Sequence, residues 1–279
     1  MKHFRTLLTL VAIVTASLYA YCEPLVLEPP FKEGQTLKYL ITTDVILSSE
    51  EAGSKEASIS TELQIDVVKT NDNGTVMNTR FNKSKVESDE ATDLQELAGT
   101  LNDMDMTVTV HVNPIGRPDS ILNINEIREL CRGAIMKHLN PEMFSDTTFN
   151  YEALIELSLQ KICSPKRLLS ETFESSNLLT FYGYDLNSGI FPSGEIVGYK
   201  LAALDPELKT LLMVTKQNND IVEVTLSGNG DQGIKVKGSW TFANNMLQHG
   251  SKKITWDMDG TSMVIDITAK LCKRQAYNS

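Results

Sequence analysis

The sequence predicts an α+β fold that is mainly antiparallel β, with one large curved sheet, or half-barrel, of about ten or eleven strands and a mid-chain helical pair packed on one face. Apolar and polar residues alternate with a period of two over most of the 279 residues, which is typical of half-buried strands. The period changes to helical spacing near residues 121–164. Asn-Gly and Asp-Gly steps separate some of the alternating segments, as they do in β-hairpins.

Four strands are predicted before the helices, over residues 36–48, 57–69, 77–81 and 104–112. The second strand shows the alternation clearly, with Ile59, Leu63 and Ile65 on one side and polar residues on the other. The Asn73-Gly74 step predicts a tight hairpin, because both residues tolerate positive φ. We therefore expect the first three strands to form a meander. An acidic and polar segment, residues 85–103, separates the third strand from the fourth.

Two helices are predicted in the middle of the chain. Apolar residues recur at helical spacing over residues 124–135, directly after Asn123, and Glu126 is placed as its capping-box partner. The second helix is expected over residues 151–163, because Pro165 favours an end at that point. These helices form an insertion between two β-rich parts of the chain.

Seven further strands are predicted, over residues 178–184, 196–201, 208–215, 221–227, 234–242, 252–258 and 262–271. Asp259-Gly260 predicts a hairpin between the last two. Residues 228–233 match the G-x-G-x-x-G pattern of dinucleotide-binding loops, but such a site needs a helix to begin at the loop. An alternating strand follows instead, so we interpret the pattern as a hairpin loop.

The first twenty residues are predicted to be a signal peptide. A short cationic head is followed by an apolar stretch of about 15 residues, fewer than the roughly 20 that a transmembrane helix needs. We expect cleavage after Ala20, which leaves residues 21–279 as one soluble, extracytoplasmic β-rich domain, secreted or periplasmic. Lipidation of Cys22 is not favoured, because Tyr21 stands where a small residue is required.

The net charge argues against one class of ligand, and the number of cysteines predicts disulfides. Loss of residues 1–20 makes the net charge about −12, which repels phosphate backbones and argues against nucleic-acid binding. Four cysteines in an oxidising compartment suggest two disulfides, and we favour Cys131–Cys163 and Cys22–Cys272 among the three pairings. The alternative is that some are buried free thiols. No two cysteines have short metal-ligand spacing, so no metal site is predicted.

No catalytic motif or cofactor site is predicted. His111, His138 and His249 have neither zinc-ligand spacing nor a nucleophile motif around them, so the chain is not expected to be an enzyme. Asn73 and Asn82 stand in N-glycosylation sequons, which matter only in a eukaryotic host.

The order of elements from Leu37 to Leu271 resembles bacterial periplasmic lipoprotein carriers and lipid-binding half-barrels of the LolA/LppX type, in which a sheet wraps around helices. The resemblance implies a binding protein that holds a lipid or other apolar ligand between sheet and helices. The residues expected to line that space are Met104, Met106, Val108, Trp240 and Phe242; the alternative is that they are ordinary core. A second hypothesis is an envelope-associated structural or protein-interaction role, and a hydrolase has the least support.

Overall fold

A ten-stranded antiparallel sheet dominates the computed structural model of the protein. The structure describes residues 24–51, 53–88, 106–138, 151–169, 172–173, 177–188, 203, 205–217, 220–258 and 260–275. The strands are β1 Thr36–Ser49, β2 Gly53–Asn71, β3 Gly74–Ser88, β4 Thr107–Val112, β5 Pro118–Ile121, β6 Lys209–Gln217, β7 Ile221–Asn229, β8 Ile234–Ala243, β9 Met246–Met258 and β10 Thr261–Gln275. The fold class predicted from the sequence is confirmed.

The strand order is β5-β4-β3-β2-β1-β10-β9-β8-β7-β6, and the sheet is open. The chain therefore starts in the middle of the sheet, moves outward strand by strand to the β5 edge, and passes through the helices to the opposite edge. From β6 it returns strand by strand until β10 pairs with β1. Among the strand pairings of the described residues, this last one alone joins segments that are distant in sequence, and it connects the two halves of the sheet.

The β2–β3 hairpin forms where Asn73-Gly74 predicted it. Asn71 pairs with Gly74, and the Asn73 backbone N–H donates to the Asn71 side-chain oxygen at 2.9 Å. Gly74 has a φ of 125°, and a Cβ there would lie 2.2 Å from the carbonyl oxygen of Val112 on β4. Glycine is thus required both by the turn and by the close approach of β4.

The helices are α1 Ile124–His138, α2 Tyr151–Ile162 and α3 Pro165–Leu169, and Leu186–Ser188 form a 3-10 turn. Pro165 opens α3, with Ser164 accepting from the Arg167 N–H at 3.3 Å, so the predicted end of the second helix is also the start of a third. Among the described helices, none has the length and apolar composition needed to cross a bilayer.

The predicted capping box at the start of α1 is wrong. The Asn123 side chain instead binds the edge of β4, where its oxygen accepts from the Thr109 N–H at 2.8 Å and its amide donates to the Thr107 carbonyl at 2.9 Å. Since β5 pairs only with residues 110–112 of β4, these two backbone groups need another partner. The Asn123 amide reaches Glu126 only weakly, at 3.4 Å.

Two further differences concern strands. Residues 178–184 form turns and a single isolated bridge, Tyr182 to Leu27, instead of the predicted strand, because Asn177 and Gly183 adopt positive φ. Strand β5 was not predicted, since its four residues begin with proline and do not alternate over a useful length. The predicted strand 196–201, the acidic stretch from 89 to 103 and Asp259 lie outside the described residues.

Candidate ligand-binding face

The strand register divides the sheet into two faces. Cross-strand partners share a face, so the pairs Leu37–Ile65, Tyr39–Leu63 and Thr43–Ile59 place the odd positions of β1 on one side. We call this side the inner face, because it carries the buried core, and the opposite side the outer face. The inner face continues through the odd positions of β10 up to Leu271 and the even positions of β8 and of β9 from Gly250 onward.

One half of the inner face, the closed half, is covered by the rest of the protein. Its residues on β1 to β4 are between 0 and 4% exposed: Leu37, Tyr39, Leu63, Ile65, Met77, Val108 and Val110. On β8 the cover is aromatic, since Phe181 lies 4.8 Å from Trp240 and 5.8 Å from Phe242 between ring centroids. Tyr182 and Phe31 extend this cluster, so segments 24–35 and 177–188 close the sheet here.

Trp240 lies flat on the sheet because two glycines leave room for it. A Cβ on Gly238 would lie 2.2 Å from the Cη2 atom of Trp240, and one on Gly250 would lie 2.5 Å from its Cδ1 atom. These residues sit on the same strand and on the neighbouring strand of the inner face. The indole is therefore held between Gly238 and Gly250 on one side and the Phe181 ring on the other, and it is 1% exposed.

Two buried tyrosines complete the closed half with satisfied hydroxyl groups. The Tyr39 hydroxyl donates to the Leu247 carbonyl at 3.1 Å, and the Tyr182 hydroxyl donates to the Asn245 carbonyl at 2.8 Å. Burial raises the pKa of both above the ordinary tyrosine value. Both side chains therefore stay neutral at physiological pH, and neither introduces a charge into the closed half.

The other half of the inner face, the open half, is apolar but only half-buried. It lies at the far ends of β1, β2, β3, β9 and β10 and consists of Val45, Leu47, Ile59, Val86, Trp256, Met263 and Ile265. Leu47 is 44% exposed and Ile59 is 36% exposed. The Trp256 ring is anchored at one edge, where its Nε1 donates to the Gln232 carbonyl at 3.1 Å.

The outer face at the same end is charged, with Lys85, Lys235 and Lys253 lying among five carboxylates. The carboxylates of these strand ends all occupy outer positions: Asp44, Glu56, Glu87, Asp257 and Asp266. A depression of about 430 Å³ is lined in part by three of them, Asp44, Glu56 and Glu87. The described residues contain no group of three side chains placed to hold a metal ion. The inner strip is therefore mostly apolar, with Lys55 opposite Leu47 as its charged member, whereas the outer face carries the carboxylates.

The residues predicted to line a ligand lie mostly in the closed half. Val108, Trp240 and Phe242 are 1 to 2% exposed, Met106 is half-buried against the core, and Met104 lies outside the described residues. Their ligand-lining role stays a prediction. The open half was not predicted from the sequence, although a signal was present: the apolar alternation of β1 runs on to Leu47, near the end of a 14-residue strand.

The two histidines with described side chains, His111 and His249, do not form a recognisable catalytic site. His111 Nδ1 lies 2.7 Å from Asp119 Oδ1, and the Ser120 hydroxyl donates to the same oxygen at 3.0 Å. A serine nucleophile is activated through a hydrogen bond to the histidine itself. Here Ser120 and His111 both bind the Asp119 carboxylate, and no hydrogen bond between the two is among their described contacts. His249 is exposed, and the His138 side chain lies outside the described residues.

The glycine-rich segment is a hairpin loop between β7 and β8, as predicted. The Gly230 N–H donates to the Ile234 carbonyl at 2.8 Å, and β8 begins at Ile234. The buried Asp205 carboxylate fills the loop and accepts from the Gln232 N–H at 2.9 Å. A Cβ on Gly230 would lie 1.9 Å from that carboxylate, which explains the glycine without a bound nucleotide.

The sequons differ in accessibility. Asn73 is exposed at the tip of the β2–β3 hairpin, whereas Asn82 is half-buried within β3.

No family model and no curated protein matches the chain. Similar solved structures include one of lipid–protein interactions in lipovitellin, at 9% identity and a TM-score of 0.44, aligned over 89% of this chain and 26% of that one. The chain thus spans about a quarter of the lipovitellin chain. A DUF1329 family protein from Desulfovibrio piger aligns over 86% of this chain and 87% of its own, at 9% identity and a TM-score of 0.22.

A LolA superfamily protein from Nitrosomonas europaea aligns over 88% of this chain and 89% of its own, at 6% identity and a TM-score of 0.18. The LolA superfamily is the group that the order of elements resembles. With TM-scores below 0.5, these likenesses concern the outline of the fold only.

Proposed function

We propose that the protein is an exported, soluble binding protein that holds a lipid or another apolar ligand against the open half of its inner face. The observation that carries this proposal is the half-exposed, mostly apolar strip on one side of the strand ends, opposite a charged outer face. Burial of apolar surface gains roughly 25 cal/mol per Å². An acyl chain laid across Leu47 and Ile59 would therefore gain free energy from surface that the protein leaves accessible to water.

The closed half supports the proposal, because its described inner-face residues are already covered by the rest of the protein. Phe181 already occupies the space above Trp240 and Phe242. The ligand therefore lies beyond the packed core, next to Trp256, and not between the core of the sheet and the helices. This placement differs from the arrangement that the resemblance to lipoprotein carriers implies.

The two tryptophans of the chain report on the site, because one lies in each half of the inner face. Fatty acids and phosphatidylcholine vesicles carrying bromine on the acyl chain quench a tryptophan only on contact. We expect them to quench Trp256 and to leave Trp240 unchanged. Single-tryptophan variants, Trp240→Phe and Trp256→Phe, assign the signal. Quenching of neither tryptophan, together with no lipid in solvent extracts of the purified protein, would contradict the proposal.

Leu47 and Leu40 form a matched pair for a test by substitution. Both are leucines of β1, 44% and 43% exposed, but Leu47 lies on the inner face and Leu40 on the outer face. Leu47→Glu places a charge in the apolar strip and should weaken binding of brominated fatty acid at least tenfold, whereas Leu40→Glu should bind as the wild type does. Equal loss in both variants would show that the open half is not the site.

A second candidate function is protein interaction through the edge strand β6. Leu211 and Met213 are 52% and 50% exposed on its outer face, and β6 is the last strand of the sheet in the described structure. An edge strand with free backbone groups can pair with a strand of a partner. A lipid-free protein retained on envelope fractions, with retention lost in Leu211→Glu and kept in Leu47→Glu, would support this function instead.

A further inference from the structure

The buried thiols of Cys131 and Cys163 meet between the helices. Cys131 lies in the middle of α1, and Cys163 directly follows α2, ahead of the turn into α3. The two side chains are 8% and 3% exposed, and they are in hydrogen-bond contact with each other. Both cysteines are free thiols in the structure, and Cys272 is a free, exposed thiol. Cys22 lies outside the described residues.

The other described links between these helices lie at the surface. Glu156 of α2 binds Arg128 at 3.2 Å and also contacts Arg132, and all three side chains are between 28 and 39% exposed. Ion pairs this exposed are screened by salt and contribute little to stability. The contact between α1 and the α2–α3 junction therefore depends mainly on apolar packing and on the two sulfur atoms.

We propose that Cys131 and Cys163 are a cross-linking site, and that in the exported protein they form a disulfide that fixes α1 to the α2–α3 junction. Both S–H bonds break and one bond forms between the two Sγ atoms. The two electrons and two protons pass to a disulfide-bearing oxidant, such as glutathione disulfide or a dithiol–disulfide oxidoreductase, which is reduced to two thiols. The proposal does not depend on the ligand.

The environment of the thiols determines when the bond forms. Burial raises the pKa of the Cys131 thiol to about 12, with a further contribution from its hydrogen bond to Cys163. The thiolate is the form that attacks a disulfide, so the folded, reduced protein reacts slowly at this site. The cross-link therefore forms during folding, while the cysteines are still accessible, and burial then protects it from reductant.

The test uses the full-length wild-type chain, refolded in glutathione buffers of stepped redox poise and then trapped with an alkylating reagent after unfolding. We expect a peptide containing Cys131 linked to one containing Cys163, with Cys272 still free to be alkylated or paired elsewhere. Peptide mapping needs no variant, so the result does not depend on whether a substitution impairs folding. Alkylation of both Cys131 and Cys163 at excess glutathione disulfide would overturn the proposal, as would a bond from either to Cys22 or Cys272.

A stability measurement gives an independent readout. Reductant added during unfolding should lower the thermal midpoint of the oxidised wild type by on the order of 10 °C. The Cys131→Ala/Cys163→Ala variant should show no such dependence on reductant, and Cys272→Ser should retain it. A wild-type midpoint that is the same with and without reductant would contradict the cross-link.

Discussion

The close approach of Gly238 and Gly250 to Trp240 predicts how the closed half of the sheet responds to an added methyl group. In Gly238→Ala the new Cβ would lie 2.2 Å from Cη2 and 2.7 Å from Cζ3 of the indole, whereas carbon atoms in contact are about 3.5–4.0 Å apart. The ring would have to rise by more than an ångström, and the Phe181 ring, 4.8 Å away between centroids, prevents this.

The expected loss of stability follows from two opposing effects. Overpacking of a core by one methyl group destabilises by roughly 1–3 kcal/mol. Replacing a strand glycine by alanine recovers about 0.5–1 kcal/mol through the unfolded chain. We therefore expect Gly238→Ala to be less stable by about 1–2 kcal/mol, a fall in the thermal midpoint of about 2–8 °C for a chain of this size.

Urea unfolding followed by far-UV circular dichroism measures the effect without relying on tryptophan fluorescence. Gly133→Ala is the control, because nothing lies within 4 Å of its Cβ on α1, and it should be stabilised by up to about 1 kcal/mol. In a Trp240→Leu background, Gly238→Ala should change stability by less than about 0.5 kcal/mol. An unchanged stability of Gly238→Ala alone, or the same loss in both backgrounds, would refute the enclosure of Trp240.

Three further predictions concern pH, the glycine-rich loop and export. Burial raises the pKa of Tyr39 and Tyr182, so the unfolded chain releases their protons first, and the free energy of unfolding should fall as pH rises above about 10. Urea unfolding measured between pH 8 and pH 12 tests this. Tyr39→Phe should show a shallower fall, and a free energy of unfolding that does not change with pH would contradict the raised pKa values. Asp205→Ala removes the acceptor of the Gln232 N–H and should lower the stability measured in urea by about 1–2 kcal/mol, whereas an unchanged midpoint would show that the loop holds without it. Intact-mass analysis of protein exported by a secreting host should find a chain that begins at Tyr21, and a retained Met1–Ala20 segment would contradict the predicted signal peptide.

The sequence determined much of the architecture because strand and helix periods are local properties. Alternation predicted most of the strands of the sheet, and the Asn73-Gly74 step predicted the β2–β3 hairpin. The change of period at Asn123 predicted α1, and the strand after Gly233 excluded a dinucleotide loop. Each of these features depends on side chains that are close together in sequence.

Predictions from neighbouring residues failed where a segment distant in sequence supplied the hydrogen-bond or packing partner. Asn123 binds the backbone of β4 instead of capping its own helix, and Tyr182 and Asp185 form isolated bridges with Leu27 and Val26 instead of belonging to a strand of the sheet. The alternation of residues 178–184 resembles that of a strand, but the positive φ of Asn177 and Gly183 and the contacts with the N-terminal segment decide its conformation.

The sequence by itself determined which side of each strand is apolar, since that is fixed by a period of two. Only the tertiary structure decided which apolar residues are covered. Trp240 and Trp256 both occupy inner positions on neighbouring strands, towards opposite ends of the pair, yet Phe181 covers one and the other stays half-buried. Cover is supplied by segments far away in sequence, so the position of the open half could not be predicted from the alternation that created it.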